Sequence, residues 1–256
     1  MIPVPRTPKP SVLARYAAKW LAKLEEARSN PNPDPAAQKR KINNAMNKYQ
    51  HEEIKATLVA MFHGKCAYCE SKITHITYGD IEHFRPKSDP RYAHLIFEWE
   101  NLLLSCPICN NPAHKGTKFP LDASGNPLLI DPTDGVTDPN VHLEFSWDAV
   151  AGLATVYGCD ARGQEVERIF DLNGVYGRKE LIRERSHHVK TLMAFLPYAQ
   201  KGDPEAIDIL KEACQPDAKY SAFTRILILP YLPQVVLEYT ELDNLLLKQL
   251  ESRDKI

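Results

Sequence analysis

No stretch of the 256-residue chain approaches the roughly 20 consecutive apolar residues that a bilayer span requires, and the amino-terminal MIPVPRTPKP has no apolar core of the kind a secretory leader carries. The chain is therefore expected to work in the cytoplasm, without a membrane. Net charge is almost absent. The 32 Lys and Arg against 33 Asp and Glu leave −1, so the chain as a whole cannot act as a polycation on nucleic acid. Any phosphate-binding surface has to be local or shared with a partner. No internal repeat is visible, and no linker long enough to separate independent domains. A composition of 43% hydrophobic and 25% charged residues excludes disordered and collagen-like classes.

Cysteine is scarce too, with six residues, but four of them fall in two identical spacings: Cys66-x-x-Cys69 and Cys106-x-x-Cys109, 36 residues apart. Cys159 and Cys214 stand alone. In a reducing compartment this arrangement favours metal over disulfides. Four thiolates on two tight knuckles are the ligand number and type of a closed tetrahedral zinc site. Such a zinc holds shape and does no chemistry, because no coordination position is left open for water or phosphate. The alternative is four buried or redox cysteines that happen to be spaced alike.

Around these pairs the periodicity changes twice. Ser11 is placed to cap a first helix whose Leu13, Tyr16, Ala17, Trp20, Leu21 and Leu24 share one face, and the prolines of SNPNPDP end it. One further helical region is predicted from Ala36 to Phe62, with Ile42, Met46, Tyr49, Ile54, Leu58, Met61 and Phe62 as its apolar stripe. From Lys65 to Leu121 short strands and turns carry cysteine, histidine and asparagine. Residues 122–160 hold turn signals around short apolar runs and read as β-rich and irregular. Helical periodicity returns after Arg162, with a final helix predicted over Val235 to Leu250. The expected organisation is thus an N-terminal helical region, 1–63, a core, 64–121, and a β-rich then helical remainder, 122–256.

Between the knuckles lies Asp80-Ile81-Glu82-His83-Phe84-Arg85-Pro86-Lys87, and just before the second lies Glu98-Trp99-Glu100-Asn101 followed by Leu102-Leu103-Leu104-Ser105. The apolar runs suit two strands of a small hairpin, and the second knuckle opens a helix. An acidic residue beside a histidine, then an Asn before an apolar run, then C-x-x-C-N with a nearby Lys-Gly, resembles the zinc-bearing HNH endonucleases. That resemblance implies an α+β protein: a zinc-stapled ββα-metal core embedded in N- and C-terminal helices. It also implies roles. His83 would be the general base that activates water, Glu82 and Asn110 would ligate a catalytic Mg²⁺ or Mn²⁺, and Asn101 would fix the loop that orients His83. Neighbouring strand residues point to opposite faces, so a bend is implied if Glu82 and His83 are both to face the metal.

Arg85, Lys87 and Arg91 follow the histidine and are candidates for flanking phosphates, or else form a solvated loop. Asn111-Pro112-Ala113-His114 separates Asn110 from Lys115-Gly116 more widely than the family usually does. His114 is therefore a second candidate metal ligand, with a surface histidine as the plain alternative.

The strings FEWENLLLSCPICNN, KGTKFPL, LIDPTDGVTDPNVHLEF and ERIFDLNGVYGRKELIRER together resemble the HNH subunits of the Septu antiphage systems and their retron-associated relatives, over about residues 64–185. This resemblance implies an effector nuclease acting on DNA or RNA and held by an ABC-type ATPase partner. The chain has no GxxxxGK[ST] motif, so ATP hydrolysis would belong to another polypeptide. Two rivals remain: a non-catalytic zinc module with a binding surface, and a stand-alone restriction-type nuclease.

Overall fold

The computed structural model describes residues 1–232, and the helix predicted over Val235 to Leu250 lies outside the described residues. Helix α1 spans Ser11–Ser29 and α2 spans Pro35–Met46. Asp34 starts α2 by accepting from the Ala36 amide at 2.9 Å, with Pro35 pre-set for the first turn. Ser11 does not cap α1. It is the first helical residue, and Glu53 takes over the task, accepting from the Ser11 hydroxyl (2.9 Å) and the Val12 amide (3.2 Å).

The single helix predicted over 36–62 is two. A 3₁₀ turn at Asn47–Gln50 follows α2, and His51 caps a separate α3, Glu52–Met61, by accepting the Glu53 amide on Nδ1. The five-residue step from Tyr49 to Ile54 explains the break, since one helix face repeats every three or four residues. Breaking the helix lets both Tyr49 and Ile54 enter the core.

Strand β1, Asp80–His83, pairs antiparallel with β2, Leu102–Ser105, in the register Asp80↔Ser105 to His83↔Leu102. The second knuckle then opens α4, a single turn at Pro107–Asn110. In the segment expected to be β-rich, a short α5 at Pro139–His142 precedes a second hairpin, β3 Leu143–Asp148 with β4 Leu153–Gly158. Helices α6 (Ala161–Phe170), α7 (Lys179–Gln200), α8 (Pro204–Ala213) and α9 (Ser221–Leu227) follow, and a 3₁₀ turn at Leu229–Tyr231 completes the described residues. The architecture is α+β, with two small hairpins set among helices.

The main core runs from Leu13 and Leu24 through Leu58 and the three leucines of β2 to Phe145, Phe170 and Phe223. The first knuckle sits inside it. Tyr68 stacks on Phe170 with centroids 4.1 Å apart, and the buried Glu70 accepts the Ala222 amide while Lys65 donates to Ser221. The knuckles are thus the floor on which the later helices are laid. Among the described residues, no helix is long and apolar enough to cross a membrane.

Candidate metal centre and active-site cleft

Cys66 and Cys69 lie after α3, and Cys106 and Cys109 come from the end of β2 and from α4. One sulfur from each falls within 4.8 Å of all the others, and the four residues are buried. Burial holds the thiols of Cys66 and Cys109 well above their ordinary range, whereas hydrogen bonding with the neighbouring thiols, Cys106 first, holds Cys69 well below. Four buried sulfurs can all ionise only if a cation compensates them, so the donor set fits a structural zinc.

Sequence reading missed an outer partner. Arg178, just before α7, donates to Cys109 Sγ at 3.3 Å. Burial opposes its charge, yet the sulfurs of Cys109, Cys69 and Cys106 hold the guanidinium well above its ordinary range. Zinc with four thiolates would carry two net negative charges, part of which Arg178 would offset. Arg178→Gln should weaken zinc binding by about 10- to 100-fold, read by competition with a chromophoric chelator.

On β1 the alternation of side chains sends Asp80 and Glu82 to one face. They line an open cleft of about 360 Å³ together with Asn110, Lys55, Lys87 and Tyr49. Asn110 Nδ2 donates to Asp80 Oδ2 at 3.1 Å, which ties the helical turn to the strand. Glu82 is buried, and burial raises its carboxyl above the usual range against the pull of Lys115.

The bend expected between Glu82 and His83 does not occur, because pairing with β2 stays in register through His83. His83 therefore lies away from Glu82, 3% exposed, with its ring edge-on to Tyr49 at 4.6 Å. Burial, then the nearby Lys87 charge, lowers its pKa to about 3. Nε2 lies 3.0 Å from the Ile96 carbonyl, which can only accept, so Nε2 carries the proton and Nδ1 the lone pair. That Nδ1 is buried without a hydrogen-bond partner.

Asn101 is fully engaged in the backbone around this histidine. Its Oδ1 accepts the Arg85 amide at 2.8 Å, and Nδ2 donates to the carbonyls of Arg85 (3.1 Å) and Leu95 (3.3 Å), next to the Ile96 carbonyl that holds His83. The turn carrying Asn101 is itself clasped by Arg6, which donates to the carbonyls of Trp99, Leu102 and Glu100.

The three phosphate candidates part company. Lys87 lines the cleft. Arg85 lies over the rings of Phe84 and Phe119, and Arg91 is paired with Asp89 at 2.6 Å. His114 bonds Asn111 through Nδ1 at 3.1 Å and joins neither the cysteine cluster nor the lining of the cleft.

Lys115 explains the widened spacing after Asn110. The loop 111–114 returns the chain so that Lys115, fully buried, pairs with Glu82 and donates to the His83 carbonyl at 2.9 Å. One ammonium thereby fixes both residues at the end of β1. Lys115→Met should cost about 3–5 kcal/mol in urea unfolding, because it leaves the Glu82 carboxylate buried alone, and Lys115→Met with Glu82→Leu should recover most of that. A double variant no more stable than the single would disprove the pairing.

A hairpin ending in Glu82-His83, an Asn-fixed turn and Asn110 closing the helical turn, all mounted on a four-cysteine centre, are the features of an HNH endonuclease domain. Residues 66–116 match the HNH endonuclease family model. More particularly, the chain is similar to Septu protein PtuB of Bacillus mycoides (strain KBAB4), 34% identical over 167 residues, which is 56% of this chain and 53% of that one. It is also similar to Septu protein PtuB of Bacillus thuringiensis, 34% identical over 122 residues, 47% of this chain and 41% of that one. The matches span about half the length of these relatives.

Proposed function

We propose that this chain is a metal-dependent endonuclease that hydrolyses phosphodiester bonds in DNA or RNA. The observation that carries this reading is the convergence of Asp80, Glu82 and Asn110 on one cleft whose Tyr49 wall covers a neutral, backbone-held His83. Glu82 and Asn110 would hold a Mg²⁺ or Mn²⁺ ion, hard cations suited to oxygen donors, and Asp80 stands on the same face. When bound, the ion supplies positive charge to the phosphate and to the leaving oxygen.

The chain's own residues do the rest. Asn110 donates its amide nitrogen to Asp80, so its side-chain oxygen is the atom left for ligation. His83 offers Nδ1 to the attacking water as general base. Reaching Nδ1 from the cleft requires the Tyr49 ring to yield, since Tyr49 covers the imidazole and lines the cleft. Lys87 lies over the Tyr49 ring at 5.0 Å and Lys55 holds the Gly79 carbonyl, so both cations stand where flanking phosphates arrive. Phosphate charge near Lys87 also favours protonation of His83, because Lys87 is one of the groups that depress its pKa.

Similarity to the Septu proteins supports placing the activity in antiphage defence, with an ABC-type ATPase partner in the cytoplasm. The test is cleavage of supercoiled plasmid and of transfer RNA with Mg²⁺, Mn²⁺ or excess chelator, with and without the partner ATPase. We expect metal-dependent cleavage, lowered about 10²-fold or more by Glu82→Gln. Absence of cleavage under every condition would leave a non-catalytic zinc module.

A further inference from the structure

Helix α2 contributes no fully buried residue to the protein, and among the described residues it holds a charge of one sign only. Its sequence PAAQKRKINNAM carries Lys39, Arg40 and Lys41 and no acid. Ile42, Ala45 and Met46 rest partly buried against the core, so the spacing turns Arg40, Lys41 and Asn44 outward, and Asn47 and Lys48 continue the exposed row. The 3₁₀ turn that follows delivers Tyr49 and Gln50 directly into the wall of the cleft. The basic row therefore leads without interruption to Tyr49, Lys87 and Lys55, beside Asp80, Glu82 and Asn110.

Little of this charge is spent within the chain. Arg40 reaches Asp34 at 3.9 Å, with both side chains mostly in solvent, and no ion pair is formed by Lys39, Lys41 or Lys48 among the described residues. A surface ion pair so exposed is weak and screened by salt. In a protein whose net charge is −1, this local concentration answers the question of where a polyanion is held.

We infer that the outer face of α2, with Lys48, is the docking surface for the nucleic-acid backbone that leads the substrate into the cleft. From Lys39 to Tyr49 the chain advances about 15 Å at the helical rise, close to four base pairs of duplex. Contacts of this kind position the strand without reading its bases. The inference rests on the nuclease reading of the cleft and names how that site receives its substrate.

The experiment measures binding of a fluorescent duplex and a fluorescent single strand to the full chain carrying His83→Ala, so that binding is seen without cleavage, between 50 and 300 mM salt. Adding Arg40→Ala, Lys41→Ala and Lys48→Ala should weaken binding about tenfold or more. The slope of log K against log salt should fall by up to about 2.7 for duplex or about 2.1 for single strand. Circular dichroism and the melting temperature should be unchanged, since none of the three side chains is buried. A slope within one unit of the parent overturns the inference, as does a parent that binds neither probe. A triple variant that binds nucleic acid normally but no longer associates with a protein partner overturns it as well, and assigns α2 to that partner. Salt-dependent binding that the triple variant loses, together with no cleavage by the wild type, would overturn the nuclease reading and leave the surface standing.

Discussion

Stripping metal from the four-cysteine centre is expected to unfold the region around β1 and β2, not merely to silence it. Structural zinc bound to four thiolates contributes apparent folding energy on the order of 10 kcal/mol, comparable with the whole stability of an ordinary domain. Here the dependence is acute because strands of four residues cannot stand alone, and each knuckle anchors later structure. Cys66 and Tyr68 are 1% exposed, Tyr68 stacks on Phe170, and Arg178 bridges Cys109 to the Phe170 carbonyl. Losing the ion would leave the buried sulfurs either charged and in mutual repulsion, or protonated and no longer a counter-charge for Arg178. We therefore expect a strong chelator, or Cys109→Ser, to abolish the near-ultraviolet dichroism and open the chain to protease, with recovery on adding Zn²⁺ only in the chelated wild type. Cys159→Ser, at an exposed cysteine, should leave the fold intact. A metal-free protein that melts as cooperatively as the zinc-loaded one would end this account.

The centre was legible in the sequence because its information is local: two identical Cys-x-x-Cys knuckles state both ligand type and ligand geometry. The four cysteines do converge, one sulfur from each within 4.8 Å of the others, while the HNH family match over residues 66–116 and the mixed helix and hairpin architecture bear out the α+β reading. What escaped was decided through space. Lys115 meets the His83 carbonyl across 32 positions, and Arg178 meets Cys109 across 69, separations at which no residue pattern announces a partner. Arg6 clasps the Asn101 turn from more than ninety residues away. Asp80 could have been found, since positions 80 and 82 share a strand face by the rule that separated Glu82 from His83.

Local competition explains the other differences. The apolar stripe over 36–62 is nearly continuous, and only the five-residue step at Tyr49 and the capping capacity of His51 reveal the break. Arg85, Lys87 and Arg91 are equivalent as charges in the sequence. They differ because two aromatic rings take Arg85 and Asp89 takes Arg91, leaving Lys87 at the cleft.

His83→Ala is expected to lower kcat by about 10²- to 10⁴-fold, the usual contribution of a positioned base, while binding and zinc content persist. The imidazole is held in one tautomer by the Ile96 carbonyl behind Tyr49, and no residue of the described lining of the cleft is itself a neutral base. The lysines there are cations, and in the proposed mechanism Asp80 and Glu82 serve the metal. Removing the ring also leaves the Ile96 carbonyl without its donor, at a cost of about 1–3 kcal/mol, so stability has to be measured beside activity. Added imidazole should restore part of the rate to His83→Ala by occupying the space vacated under Tyr49. Asn101→Ala should behave differently. It removes three hydrogen bonds to the Arg85 and Leu95 backbone and thereby loosens the loop carrying Ile96. Its rate should fall less steeply, and imidazole should not rescue it, because the base would still be present but misplaced. Unaltered cleavage by His83→Ala, at unaltered stability, would remove His83 from the mechanism and return the search to the groups lining the cleft.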